Sequence, residues 1–212
     1  MYRWCLSLRK MSKSIEMVDL SGWVEKAPPD KKNFREAVHI ILSAIGTSTW
    51  LRSKMVMKGG MLMALRYESS RFTRDADFST KALYVTGEEN QLLAELDRQL
   101  AHANANSNYD TMCMIQSSKL LPPGPKKTFP LLALTIGYAA KSNERALRRL
   151  LAKQSPTIVE IDYSFNEAVL DVEVLRLSDG HQIQVYSLVN LMAEKFRSLL
   201  QQPTRNRNRR QD

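Results

Sequence analysis

Long apolar runs, cysteine pairs, histidine clusters and several familiar catalytic signatures are all missing from this 212-residue chain. The longest apolar stretch, Phe129 to Ala140, falls far short of the ~20 residues a membrane-spanning helix needs, so it reads as a buried strand and no membrane partner is expected. Only two cysteines occur, Cys5 and Cys113. They are far apart and lack metal-ligand spacing, which fits a reducing, cytoplasmic setting. The three histidines, His39, His102 and His181, show no HExxH or comparable spacing. There is no Walker A loop, no Cys–His pair and no Gly-x-Ser-x-Gly turn, so nothing points to a P-loop or a covalent nucleophile. Repeats and low-complexity tracts are absent. A chain this long buries roughly 70% of its unfolded surface, enough to fold without disulfides or a structural metal.

What the chain does have is positive charge: 31 Lys and Arg against 22 Asp and Glu, a formal +9. That surplus favours a polyanionic partner. Part of it lies in the C-terminal tail, at Arg205, Arg207, Arg209 and Arg210. The N-terminus is basic too, but Arg3 and Arg9 interrupt any apolar region, so it makes a poor signal peptide, and Met11 offers a second start.

Periodicity divides the rest into alternating elements. Residues from Asp30 read as an amphipathic helix with Phe34, Val38, Ile41 and Ile45 on one face and Asp30 as its cap. Lys54 to Lys58 is a short strand running into Gly59 and Gly60, followed by a helical MLMALRY, with Met55, Met57, Met61 and Met63 as core filler. Arg74 to Thr80 is a second strand. Glu88 to Ala105 is a helix with Leu92, Leu96 and Leu100 spaced by four. Thr111 to Gln116 and Phe129 to Ala139 are strands around the loop LPPGPKK. Asn143 to Lys153 is a basic helix, Thr157 to Phe165 an alternating strand, Asp179-Gly180 a hairpin turn, and Ser187 to Gln201 a helix capped by Ser187. The expected class is α/β, one mixed sheet flanked by helices. The expected organisation is an N-terminal extension over 1–29, a catalytic domain over 30–186, and a C-terminal helix with basic tail over 187–212.

The chemistry concentrates where strand, glycine pair, helix and Asp-x-Asp follow one another. Side chains two apart on a strand share a face, so Asp75 and Asp77 aim at one place. Their mutual repulsion is relieved by a divalent cation with a taste for oxygen ligands, Mg²⁺ or Mn²⁺. Gly59 and Gly60 open a helix whose free N–H groups favour a phosphate, and Lys58 precedes them with a positive charge. A phosphate seat beside carboxylates is the layout for phosphoryl or nucleotidyl transfer.

The segment KGGMLMALRYESSRFTRDADFS resembles the signature of the AbiEii/AbiGii-type nucleotidyltransferase toxins of type IV toxin–antitoxin and abortive-infection systems. It is met here by Lys58, Gly59, Gly60, Arg71, Phe72, Thr73, Asp75, Asp77 and Phe78, and again by Ala193-Glu194-Lys195. The resemblance departs at Met61, where the family commonly has Thr or Ser, and the family's helical domain is expected to be shortened after residue 187. It implies a nucleotidyltransferase-like fold that uses an NTP and Mg²⁺, with a third carboxylate beside Asp75 and Asp77. Glu160 and Asp162, on one face of their strand, are the alternatives, Glu160 being favoured as catalytic group and metal ligand. Lys58, Gly59, Gly60, Arg71, Thr73 and Lys195 are the expected nucleotide-binding residues, with Lys195 also among the expected catalytic ones. Also implied are an RNA acceptor such as the tRNA acceptor end, and a cognate antitoxin that acts with or without direct contact. The alternatives are transfer to a protein or small molecule, and a catalytically inactive nucleotide- or RNA-binding relative.

Overall fold

A computed structural model describes residues 15–67, 69, 73–123 and 128–205, the last five as backbone only. Eight strands form one mixed sheet in the order β1-β7-β8-β2-β3-β6-β5-β4. They are β1 Glu16–Val18, β2 Val56–Lys58, β3 Asp75–Ser79, β4 Thr111–Leu121, β5 Leu131–Ala140, β6 Ile158–Ser164, β7 Val172–Leu177 and β8 Gln182–Tyr186. The helices are α1 Leu20–Glu25, α2 Lys32–Thr47, α3 Thr49–Lys54, α4 Gly59–Arg66, α5 Glu88–Asn106, α6 Glu144–Leu151 and α7 Leu188–Arg205. The mixed α/β class expected from the alternation of elements is the one found.

Alternation makes the central strands two-faced. One face carries Met57, Ala76, Phe78, Val159, Ile161, Tyr163, Leu132, Leu134 and Ile136, all buried. Register carries this face from strand to strand, since Met57 pairs with Phe78, Phe78 with Tyr163, and Tyr163 with Leu132. Helices α2 and α5 complete the core. Phe34, Val38, Ile41 and Ile45 are buried on α2, as are Leu92, Leu96 and Leu100 on α5, at the positions the periodicity marked. Each such side chain contributes roughly 1.5–3 kcal/mol of transfer free energy.

Several boundaries differ from the sequence expectation for identifiable reasons. Lys54 ends α3 rather than starting a strand, because Ser48 Oγ accepts from Leu51 N–H and caps an extra helical turn. Asp30 does not cap α2: Pro29–Lys31 forms a 3₁₀ turn and Lys31 takes the cap position without a side-chain bond. Strand β4 runs on to Leu121 because its far half stays paired with β5, past a bulge between Ile115 and Ser117. Residues 16–18, assigned by sequence to an N-terminal extension, pair with β7 at the sheet edge. Ser187 does cap α7, accepting from Asn190 N–H at 3.2 Å. Met55, Met57 and Met61 are buried around the glycine turn.

Candidate active site

The opposite face of the central strands is polar. Lys58 stands opposite Asp77 across the antiparallel β2–β3 pair. Asp75 and Asp77 stand beside Glu160 and Asp162 across the parallel β3–β6 pair. Residues in register on neighbouring strands project to the same side, so one basic and four acidic side chains share this surface. Strand β6 lies inside the sheet, between β3 and β5, rather than at an edge.

Between β2 and β3 the chain folds back through α4, which starts at Gly59. Gly59 has φ +71, and a Cβ built there would stand 1.9 Å from Asp77 Oδ2. Glycine is thus required twice: for the left-handed backbone and for the space that the Asp77 carboxylate occupies. A Cβ on Gly60 would meet Thr73 Oγ1 at 3.2 Å. The turn therefore brings Gly59, Gly60, Thr73 and Asp77 together. Arg71, with Phe72, lies outside the described residues.

The electrostatics are those of a crowded anionic site. Burial pushes the Asp77 carboxyl up from 3.8 to about 6, Asp162, Asp75 and Glu194 push the same way, and Lys58 opposes them. Asp162 is raised as well, by burial and then by Asp75, again against Lys58. Glu160 enters neither balance and is exposed. Of the two candidate third carboxylates, Asp162 is therefore the one electrostatically joined to the aspartate pair.

Lys58 is the buried cation of the site, and three of its contacts escaped the sequence reading. Its ammonium pairs with Glu167, lies 3.5 Å from Glu194 Oε1, and stands 5.9 Å from the centre of the Tyr186 ring. Glu167 is fixed in turn by Ser79, whose hydroxyl donates to it at 2.6 Å. Burial alone would lower the Lys58 pKa, but the Glu167 and Glu194 charges win and raise it. Helix phase decides which side chain of α7 reaches the sheet. Ser187, Asn190, Leu191 and Glu194 turn inward, whereas Lys195 is exposed. No pattern in the sequence links Glu167 to Lys58; Glu194 could have been found from the helical spacing of Asn190, Leu191 and Glu194.

Among the described residues no cluster of three or more His, Cys, Asp and Glu side chains is arranged to hold a metal ion. The oxygen donors Asp75 and Asp77 nonetheless fit a hard divalent cation. Mg²⁺ is commonly held by one or two carboxylates, with water and substrate phosphates completing its shell. Such a cation would favour the charged form of Asp77, against the burial and the neighbouring carboxylates that raise it.

The histidines, unremarkable in sequence, line one separate cavity of about 390 Å³ with Tyr109 and Asp179. His39 Nδ1 meets Tyr109 Oη at 2.7 Å and its Nε2 lies 3.6 Å from Asp179. These contacts tie α2 to the loop before β4 and to the β7–β8 turn.

Two crystal structures share parts of this fold. A candidate nucleotidyltransferase from H. pylori is 16% identical, with a TM-score of 0.48 over 80% of this chain and 59% of its own. JHP933 from Helicobacter pylori is 15% identical, with a TM-score of 0.49 over 79% of this chain and 56% of its own. The chain thus spans less than two thirds of either. No curated protein matches it. The sequence model of the nucleotidyl transferase AbiEii toxin family, of type IV toxin–antitoxin systems, matches residues 41–212, a span from α2 to the end of the chain that includes every element of the site, so the chain belongs to the AbiEii nucleotidyltransferase toxin family.

Proposed function

We propose that this protein transfers a nucleoside monophosphate from an NTP to a hydroxyl of RNA, breaking the α–β phosphoanhydride bond and releasing pyrophosphate, the tRNA acceptor end being the favoured substrate, and that it acts in the cytoplasm as a toxin held in check by a cognate antitoxin. The observation that carries the reading is the register of β2, β3 and β6. It gathers Asp75, Asp77 and Asp162 on one face beside the turn at Gly59 and Gly60.

Asp75 and Asp77 would hold Mg²⁺ or Mn²⁺, which when bound supplies Lewis-acid stabilisation of the transferring phosphoryl group. The first N–H groups of α4, at Gly60 and Met61, have no partner within the helix and offer donors to a phosphate, with Thr73 over Gly60 as a neighbouring hydroxyl. Asp162, whose carboxyl is raised and therefore more basic than a free aspartate, accepts the proton of the attacking hydroxyl. Lys58 steadies the charge on Asp77, and Glu167 holds Lys58. Arg71 and Lys195 are the remaining candidates for neutralising the triphosphate, Lys195 from the exposed side of α7.

The test is incubation of the protein with Mg²⁺, each labelled NTP in turn, and total tRNA. Label is expected on RNA with the natural sequence and on none with Asp77→Ala or Asp162→Ala. Label on a protein or a small molecule, or no label with any NTP, would overturn the RNA assignment. In cells, toxicity should vanish with Asp77→Ala.

A further inference from the structure

The carboxylate site poses a problem for a polyanionic acceptor. Asp75, Asp77, Glu160, Asp162, Glu167 and Glu194 lie on or beside it, and among the described residues Lys58 is the one buried cation there. A nucleic acid approaching that surface is repelled unless positive charge lies alongside.

Topology puts such charge at the same end of the sheet. Strand β3 begins at Asp75, and β6 begins at Ile158, two residues or about 7 Å before Glu160. Strand β5 runs antiparallel to β6, with Gly137 opposite Ile158, so it leaves the sheet at this end. The connection from Ala140 to Ile158 contains α6, Glu144–Leu151. Helix α6 seats Leu150, which is fully buried, and points Arg145, Arg148 and Arg149 into solvent within an arc of about 100°. Lys153, just past the helix, is exposed as well.

Several cations elsewhere in the fold are held by carboxylates. Arg66 pairs with Glu16 and Glu173, Arg98 with Glu95, and Lys54 with Glu88. Among the described residues, none of Arg145, Arg148, Arg149 and Lys153 has a carboxylate within 4.0 Å, and Glu144 is the sole acid on the helix. Three arginines thus stand three and four residues apart on one exposed face, with Glu144 alone to balance them. An eight-residue helix is about 12 Å long, enough to lie along a short run of backbone phosphates. Arginine is also the side chain that grips a phosphate with two parallel hydrogen bonds.

We propose that the exposed face of α6, formed by Arg145, Arg148 and Arg149 with Lys153 beyond them, docks the phosphate backbone of the RNA acceptor and so brings its reactive hydroxyl to the carboxylate face. This rests on RNA being the acceptor, and the experiment separates the two claims. All proteins carry Asp77→Ala, so binding is read without turnover. Fluorescence anisotropy measures affinity for a labelled single-stranded RNA and for a stem with a single-stranded 3′ end, over a salt series. One variant carries R145Q, R148Q and R149Q; a charge-matched control carries K26Q, K32Q and R176Q, three exposed cations elsewhere. Circular dichroism verifies that both fold.

The α6 variant should bind at least tenfold more weakly, and its slope of log affinity against log salt should shrink by about 2, at ~0.7 per lost contact to a single strand. The control should change by less than twofold. Equal losses in both would reduce the effect to net charge and overturn the proposal, as would unchanged RNA affinity in the α6 variant. Binding of polyglutamate at α6 without RNA binding would assign the surface to an acidic protein and overturn it too. If label transfers to RNA with the natural site while the α6 substitutions leave KM for RNA unchanged, the docking surface falls and the reaction stands. If RNA binding depends on α6 but no NTP is consumed, the surface stands and the transferase reading falls.

Discussion

Replacing Asp77 by asparagine should stabilise the metal-free protein while abolishing its activity, and pH should tell why. In the folded chain the Asp77 carboxyl titrates at about 6, against 3.8 for an ordinary aspartate. Between those values the folded state holds a proton that the unfolded state has released. Stability therefore falls as pH climbs from about 4 to about 6, and the whole penalty persists above that range. At ~1.4 kcal/mol per pH unit, a gap of about two units corresponds to about 3 kcal/mol. Asparagine fills nearly the same space beside Gly59 without a charge, so Asp77→Asn should recover most of that amount at pH 7.5.

For a chain of this size about 3 kcal/mol corresponds to roughly 6–12 °C in the midpoint of thermal unfolding. The assay is calorimetry or dichroism melting in EDTA at pH 4.0 and pH 7.5. The variant should melt higher than the natural protein at pH 7.5 and level with it at pH 4.0. Millimolar Mg²⁺ should then raise the natural protein and leave Asp77→Asn nearly unmoved, since a ligand at a hundred times its Kd stabilises by about 2.7 kcal/mol. A variant that melts no higher at pH 7.5, or whose advantage is the same at both pH values, would refute the account of Asp77 as a buried, crowded carboxylate.

Three further outcomes follow from the same geometry. Gly59→Ala should cost at least 2 kcal/mol, about 1–2 from the left-handed backbone and more from the collision with Asp77, and urea unfolding should record it together with lost transfer activity. Asp162→Asn should lower kcat by at least a hundredfold in the RNA-labelling assay, whereas Glu160→Gln, exposed and outside the charge balance of Asp77, should retain activity within about threefold. At the His39 contact, burial pushes Asp179 up, but hydrogen bonds from His39, Ser43 and the His181 N–H outweigh it and bring the carboxyl from 3.8 down to about 2. Asp179 thus adds stability above about pH 4 that is lost as pH falls through 2, so Asp179→Asn should cost about 2 kcal/mol at pH 7 and close to nothing near pH 2, read by denaturant titration.

The parts of the site visible in the sequence were the local ones. Two-residue periodicity put Asp75 with Asp77 and Glu160 with Asp162, and β3 and β6 keep both pairings. The glycine pair marked a turn whose purpose, room for the Asp77 carboxylate, shows only when β3 folds back against β2. Which strand lies beside β3 is a long-range fact. Residues 75 and 160 are far apart in the chain, and nothing local encodes their register, so which residues stand beside Asp75 and Asp77 shows only in the fold. Lys58 shows the same limit. Its position before Gly59 suggested a free phosphate contact, yet its partners Glu167 and Glu194 arrive from a loop and a helix more than a hundred residues away.

Lys58 and its carboxylates also join distant segments of the chain at the candidate site. Glu194 belongs to α7, Glu167 to the loop after β6, and Lys58 to the strand that enters the glycine turn. One buried ammonium therefore ties three separate segments together within reach of Asp77. A buried ion pair contributes little net stability, because desolvation of both partners offsets most of their attraction, but breaking it strands a charge at a cost of roughly 3–5 kcal/mol. The arrangement thus does more to fix position than to add stability: it makes the placement of α7 and the protonation of Asp77 depend on the same side chain. A displaced α7 would carry Glu194 away from Lys58 and so disturb the charge that faces Asp77.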